Sequence, residues 1–118
     1  AKLTKIVMVF NQARFVALKD ALSQLGVTGM TITQVMGCGT QKGHANYYRG
    51  IKIEEVALLP KIKLEVVVSR VPVEDVIATA KKVLYTGNIG DGKLFVYDVE
   101  NVIKVRTGEQ GFDALQGE

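Results

Sequence analysis

Twice along this chain a short apolar run with strand character gives way to a helical stripe and then to a second strand, and few folds accommodate that order in 118 residues. Leu3 to Phe10 contains Ile6-Val7-Met8-Val9-Phe10, an uninterrupted apolar run of the kind that fills a buried strand. Asn11 offers a helix cap, and Phe15, Leu18, Leu22 and Leu25 then recur at the spacing of one helical face. Gly26 supplies a stop, and Met30 to Met36, rich in Thr, Ile and Val, reads as the second strand. In the second unit Ile62, Leu64, Val66 and Val68 alternate with Lys63, Glu65 and Val67. Pro72 suits a first helical turn, and Val73, Val76, Ile77, Ala80, Val83 and Leu84 form the apolar stripe that follows. Glu74 and Asp75 near its start and Lys81 and Lys82 near its end complement the helix dipole. Leu94 to Val99 reads as a fourth strand, Val102 to Arg106 as a short fifth, and the tail from Thr107 as polar and mobile. The order predicts one α+β domain over residues 1–118, a ferredoxin-like double β-α-β unit with two helices on one face of an antiparallel sheet.

Two helices cover one sheet face only. Strand alternation sends Val7, Val9, Val67 and either Phe95 or Leu94 to the other face. An open sheet face should be polar, so an apolar one predicts burial against another copy of the chain.

Composition removes several classes. Hydrophobic residues at 47% and charged residues at 23% describe an ordinary globular domain. No apolar run approaches the roughly 20 residues of a membrane-spanning helix, and the start has no signal-peptide layout. A single cysteine, Cys38, leaves no internal disulfide and favours a reducing, cytoplasmic setting; it reads as a small buried side chain. One Cys and one His cannot build a closed zinc site. A net charge of +3 permits anionic ligands without demanding nucleic acid, and with no Trp, four Tyr and four Phe there is little material for a base-stacking platform.

Four segments are candidates for chemistry. Thr86-Gly87-Asn88-Ile89-Gly90-Asp91-Gly92-Lys93 lets backbone N–H groups approach an anion, with Lys93 adding charge. Gly87, Gly92 and Lys93 match part of a Walker A motif, but Leu94 stands where Ser or Thr must hold magnesium, and the loop joins helix to strand rather than strand to helix. The alternative is a tight helix-to-strand connection. Lys104 and Arg106 lie two apart on the expected fifth strand, where a phosphate chain would satisfy both; taken alone, a solvated, charge-protected edge is the simpler explanation. Residues 37–56 show no sustained period and read as a long loop, apart from a short strand at Ile51 and Ile53; loops of that length are usually functional. Within it, Gly37 to His44 resembles a ligand cradle or a flexible loop base, and Tyr47-Tyr48-Arg49 an interaction surface or aromatics folded back on the domain.

Together these blocks resemble the P-II signal-transduction family, in particular its GlnK-like members. The matching stretches are Gly29-Met30-Thr31, Gly37 to Gly50 around Gln41-Lys42-Gly43-His44 and Tyr48-Arg49-Gly50, Leu59-Pro60-Lys61-Ile62-Lys63, the turn Thr86 to Lys93, and Arg106-Thr107-Gly108-Glu109. The resemblance implies a homotrimer with nucleotide sites between subunits, where ATP and ADP compete and ATP with Mg2+ supports 2-oxoglutarate binding. It implies docking of the long loop on an ammonium transporter, a nitrogen transcription regulator or an enzyme, in the cytoplasm with recruitment to the inner membrane face. By position, Gly90, Asp91, Gly92 and Lys93 look like the phosphate turn, Arg106 and Lys104 like the phosphate-gripping cations, and Thr31 and Val67 like adenine contacts. Gly37, Cys38 and Gly39 look like the ribose-side wall, with Thr40 near the phosphates. Gln41 is similar to the magnesium ligand; Gln41, Lys42, Gly43 and Lys61 are similar to the 2-oxoglutarate site; Tyr47, Tyr48 and Arg49 to the partner-binding tip.

Three departures stand out. Ile51-Lys52-Ile53-Glu54-Glu55 lacks the tyrosine that many relatives uridylylate, as in the Gram-positive form. Lys104 replaces a usual arginine, keeping charge but losing the bidentate fork. Thr40 replaces a common arginine. The resemblance points to a binding switch rather than an enzyme, since the proposed site has no clear general base. The competing readings are a small ferredoxin-like acyl-phosphate hydrolase using Arg14 and an RNA-binding sheet module.

Overall fold

The computed structural model describes residues 2–48 and 51–116, with backbone alone over 39–48 and 51–57. Strand β1 runs Leu3–Asn11, helix α1 Phe15–Leu25, strand β2 Met30–Tyr48, strand β3 Ile51–Val68, helix α2 Val73–Leu84 and strand β4 Lys93–Val99. The sheet order is β2-β3-β1-β4, antiparallel throughout, as the ferredoxin-like pattern requires.

The alternation decides which residues face the helices. Ile6, Met8 and Phe10 of β1 and Ile62, Leu64, Val66 and Val68 of β3 form one core with Leu18 and Leu22 of α1 and Val76, Ala80 and Leu84 of α2. Each buried side chain of this kind contributes about 1.5–3 kcal/mol. Asn11 caps the 3-10 turn Gln12–Arg14 by accepting the Ala13 N–H at 2.9 Å. Gly26 closes α1 at φ 105, donating to the Leu22 and Ser23 carbonyls, a conformation that suits glycine. Pro72 stands as the residue before α2, and α2 ends at Leu84, ahead of Gly87.

On the outer face the register sets Val7 between Glu65 and Phe95, and Val9 between Lys63 and Lys93. Phe95, not Leu94, is therefore the outward residue; Leu94 lies opposite Met8 and packs on the core.

Three expectations about the course of the chain are overturned, the first being a mobile tail: the chain after Thr107 forms a 3-10 turn, Gly111–Leu115, with Phe112 against Arg70. Residues 37–48 and 51–56 are not an aperiodic loop but parts of β2 and β3, which pair from Met30↔Val66 to Tyr48↔Ile51 and give the molecule a longest dimension of 64 Å. Local pattern hides the pairing because ladder hydrogen bonds form regardless of side-chain polarity. The expected fifth strand is a turn: Gly108 N–H donates to the Lys104 carbonyl at 2.7 Å, and one isolated bridge joins Ile103 to Gln110.

Candidate functional site

The register gathers the basic residues at one end of the outer face. Lys63 and Lys93 flank Val9 on either side, and Lys61 lies opposite Asn11 two pairs further along, on the same face. Three lysines grouped on one face repel one another unless an anion or solvent lies between them. Lys61 Nζ donates to the Gly90 carbonyl at 3.1 Å, tying β3 to the glycine turn. Gly37 lies over the Lys61 stem: a Cβ there would stand 3.4 Å from Lys61 Cγ. Gly37, Lys61, Gly90, Asp91, Gly92 and Lys93 are thus brought together, beside a cavity of about 550 Å³ lined by Gln12, Leu59, Pro60, Lys61, Ile89 and Gly90.

Asp91 works within the turn. Its carboxylate accepts the Thr86 hydroxyl, the Thr86 N–H at 2.8 Å and the Gly87 N–H at 2.9 Å. The Thr86 hydroxyl, the Thr86 and Gly87 amides and the Lys61 charge hold its pKa below the ordinary aspartate value. A depressed folded pKa gives stability that is present above the unfolded pKa, about 3.9, and is lost as pH falls through the folded value. Urea titrations of the parent and Asp91→Asn are expected to differ most near neutral pH and to converge below about pH 4. Parallel pH curves would remove Asp91 from the turn's acid sensitivity.

Gln41, Lys42 and Gly43 occupy a singular place in the arm. Thr40 pairs with Val56 and Ala45 with Glu54, so residues 41–44 of β2 stand against residue 55 alone. The predicted 2-oxoglutarate residues coincide with a bulge, a device that interrupts a ladder and re-aims side chains next to binding sites. The side chains of Thr40, Gln41, Lys42, Tyr47 and Tyr48 lie outside the described residues, as does Gly39 apart from its backbone; Arg49 lies outside them altogether. Cys38 is exposed, correcting the expectation of a buried thiol. It sits opposite Leu58, also exposed, beyond the reach of both helices.

Thr31 and Val67 do not join this cluster. They line a cavity of about 850 Å³ at the other end of the sheet, with Thr28, Arg70, Phe112 and Leu115. Lys61 and Val67 are six residues apart on β3, about 20 Å along the strand. Lys104 and Arg106 also belong to that far end, because β4 carries the chain the length of the sheet from Lys93 to Val99 before reaching them. Lys104 does not share a strand face with Arg106: its side chain is nine-tenths covered and pairs with Glu109 at 3.6 Å. The Thr107 hydroxyl, then Lys104, lowers the Glu109 pKa.

Sequence reasoning overlooked four residues here. Lys63 joins the basic cluster only through its register with Val9. Arg70 and Phe112 meet across 42 residues of sequence, with no local signal. The Ser69 hydroxyl lines the same far cavity, buried and without a hydrogen-bond partner among the described residues.

Arg14 rules against the hydrolase reading. Its Nε and Nη2 donate to the Val83 carbonyl at 3.1 and 2.7 Å, so the guanidinium holds the end of α2 rather than facing a phosphate. Among the described residues no group of three His, Cys, Asp or Glu side chains could cage a metal.

Fold and site define a ferredoxin-like domain with a lysine-rich end and, among the described residues, no catalytic constellation. The description "Nitrogen regulatory protein P-II" matches residues 3–109. A nitrogen regulatory PII-like protein of Bacillus subtilis is 50% identical over 111 residues, covering 94% of this chain and 95% of that one. A nitrogen regulatory protein P-II of Pasteurella multocida is 46% identical over 111 residues, covering 94% and 98%. Among solved structures, B. subtilis GlnK aligns at a TM-score of 0.81 with 46% identity over 97% of this chain and 99% of that one. The B. subtilis GlnK–ATP complex aligns at 0.80 with 43% identity over 96% and 95%. The chain belongs to the P-II family of nitrogen regulatory proteins, which are signal-transduction regulators and not enzymes. No helix among the described residues is long and apolar enough to cross a membrane.

Proposed function

We propose that this P-II protein senses ATP and ADP at sites shared between neighbouring copies in a homotrimer. The observation that carries the reading is the separation of the two half-sites. The turn Gly90 to Lys93, with Lys61 and Gly37, lies at one end of the sheet; Arg106, Lys104, Thr31 and Val67 belong to the other. One phosphate chain held by Lys93 and Arg106 then needs two copies, and the outer-face patch of Val7, Val67 and Phe95 offers an apolar surface for that association. The GlnK–ATP complex, a close structural relative, supports adenine nucleotide as the ligand. Mg2+ on the phosphates and 2-oxoglutarate, reached by Gln41, Lys42 and Gly43 from the bulge and by Lys61 from β3, would then set the state of the β2–β3 arm. The arm, with Tyr47, Tyr48 and Arg49 near its tip, docks on an ammonium transporter, a nitrogen transcription regulator or an enzyme. The protein works in the cytoplasm and reaches the inner membrane face only through such a transporter.

Calorimetry with ATP and Mg2+, with and without 2-oxoglutarate, tests the ligands. Lys93→Ala and Arg106→Ala are each expected to weaken ATP about 10- to 100-fold, the worth of a charge-assisted bond to phosphate. Subunit mixing tests the sharing. In trimers reassembled from equal amounts of the two variants, about a quarter of the sites combine an intact Lys93 with an intact Arg106 from the neighbour and recover affinity. Mixtures that bind no better than either parent would place both residues in one chain's site.

A further inference from the structure

The short 3-10 turn Gly111–Leu115 closes one side of the 850 Å³ cavity whose other side carries Thr31 and Val67. The Phe112 ring lies against the Arg70 guanidinium, with Cζ 3.6 Å from the ring centroid. Other bonds among the described residues lie at its start and within it. The Gly111 N–H donates to the Val102 carbonyl at 2.9 Å and to Asn101 Oδ1 at 3.2 Å, and Asn101 Nδ2 donates to Gln110 Oε1 at 2.8 Å. Beyond Gly111 the contact with Arg70 joins the segment to the end of β3. Phe112, Leu115 and Gln116 wall the cavity without filling it, and its size is that of a small-molecule site.

We propose that residues 111–116 form a strap over the base-side half of the nucleotide site, latched by the contact between Arg70 and Phe112. The inference rests on the reading of Thr31 and Val67 as the base side. The strap offers an apolar wall to a planar purine and opens to release it. Because the latch is closed without nucleotide, breaking it speeds entry as well as release. The latch is a cation–π contact, so ring and guanidinium act as one unit.

Release of a fluorescent ATP analogue from the Mg2+-loaded trimer, followed by stopped flow, tests this. Phe112→Ala and Arg70→Ala are each expected to raise the release rate about three- to tenfold, with the association rate rising alongside it. The double variant should release no faster than the singles, and Phe112→Tyr should behave as the parent. Phe112→Leu keeps apolar bulk while removing the ring, and is expected to release as fast as Phe112→Ala even if the alanine variant folds poorly. Parental release from Phe112→Leu and Arg70→Ala, with binding still lost in Arg106→Ala, would overturn the strap and leave the shared site standing. Single effects that multiply in the double variant would overturn the latch. A parent chain that binds no nucleotide would overturn the site itself, and the strap with it.

Discussion

Gly92→Ala is expected to cost this protein about 3 kcal/mol or more, a large share of the 5–15 kcal/mol that holds a typical domain together. Two effects combine there. The backbone sits at φ 103, a left-handed conformation that L side chains rarely adopt. A Cβ would also overlap the Val9 carbonyl oxygen and stand 3.0 Å from Phe10 Cα, both backbone atoms of the central strand β1. Backbone cannot swing aside as a side chain does, so either the turn lifts away or β1 bends. Gly90 provides the control. It has φ 105, but its added Cβ would meet only the far end of Lys61 at 3.5 Å. Gly90→Ala is therefore expected to cost only the conformational term, about 1 kcal/mol. Urea denaturation of the two variants measures the difference; equal costs would show that the approach to β1 is not rigid.

Phe95→Glu should abolish self-association while leaving the subunit folded. Phe95 lies on the outer face opposite Val7 and is 43% exposed, outside the core between sheet and helices. The substitution removes nothing from that core. It places one carboxylate per copy on the surface proposed to be covered, and an unpaired charge buried there costs about 3 kcal/mol or more. Analytical ultracentrifugation should find a monomer with parental circular dichroism, and ATP binding should fall with assembly because the half-sites come from different copies. A variant that remains trimeric would locate the interface elsewhere.

Legibility tracked the range of the interactions involved. Ile62, Leu64, Val66 and Val68 announced a half-buried strand because a period of two has few other causes, and the structure buries all four. Leu18, Leu22, Val76, Ala80 and Leu84 announced helix faces in the same way. The arm was not legible. Gly37 to Gly43 lack strand propensity, and β2 pairs there through its backbone with a partner strand that was itself unrecognised. Lys104 and Arg106 read as strand because Val102 to Arg106 alternates, yet the carbonyl of Lys104 closes a turn onto Gly108. At the site, the glycine turn was visible as composition. The role of Asp91 within it and the closeness of Lys61 to Gly90 required coordinates. The distribution of the half-sites over two ends of the sheet follows from strand direction, which no single motif records.

The sheet order also governs what happens while the chain is being made. β1 leaves the ribosome first, yet both strands that flank it, β3 and β4, come from the second half of the sequence. Until Ile62 to Val66 have been synthesised, Phe10, Met8 and Ile6 have no ladder to join, and the β4 edge stays open until Val99. The first half can offer only α1 and the start of β2 as shelter. The nascent chain therefore carries its most apolar strand unpaired until β3 has been made, and folding waits on long-range closure rather than on local structure.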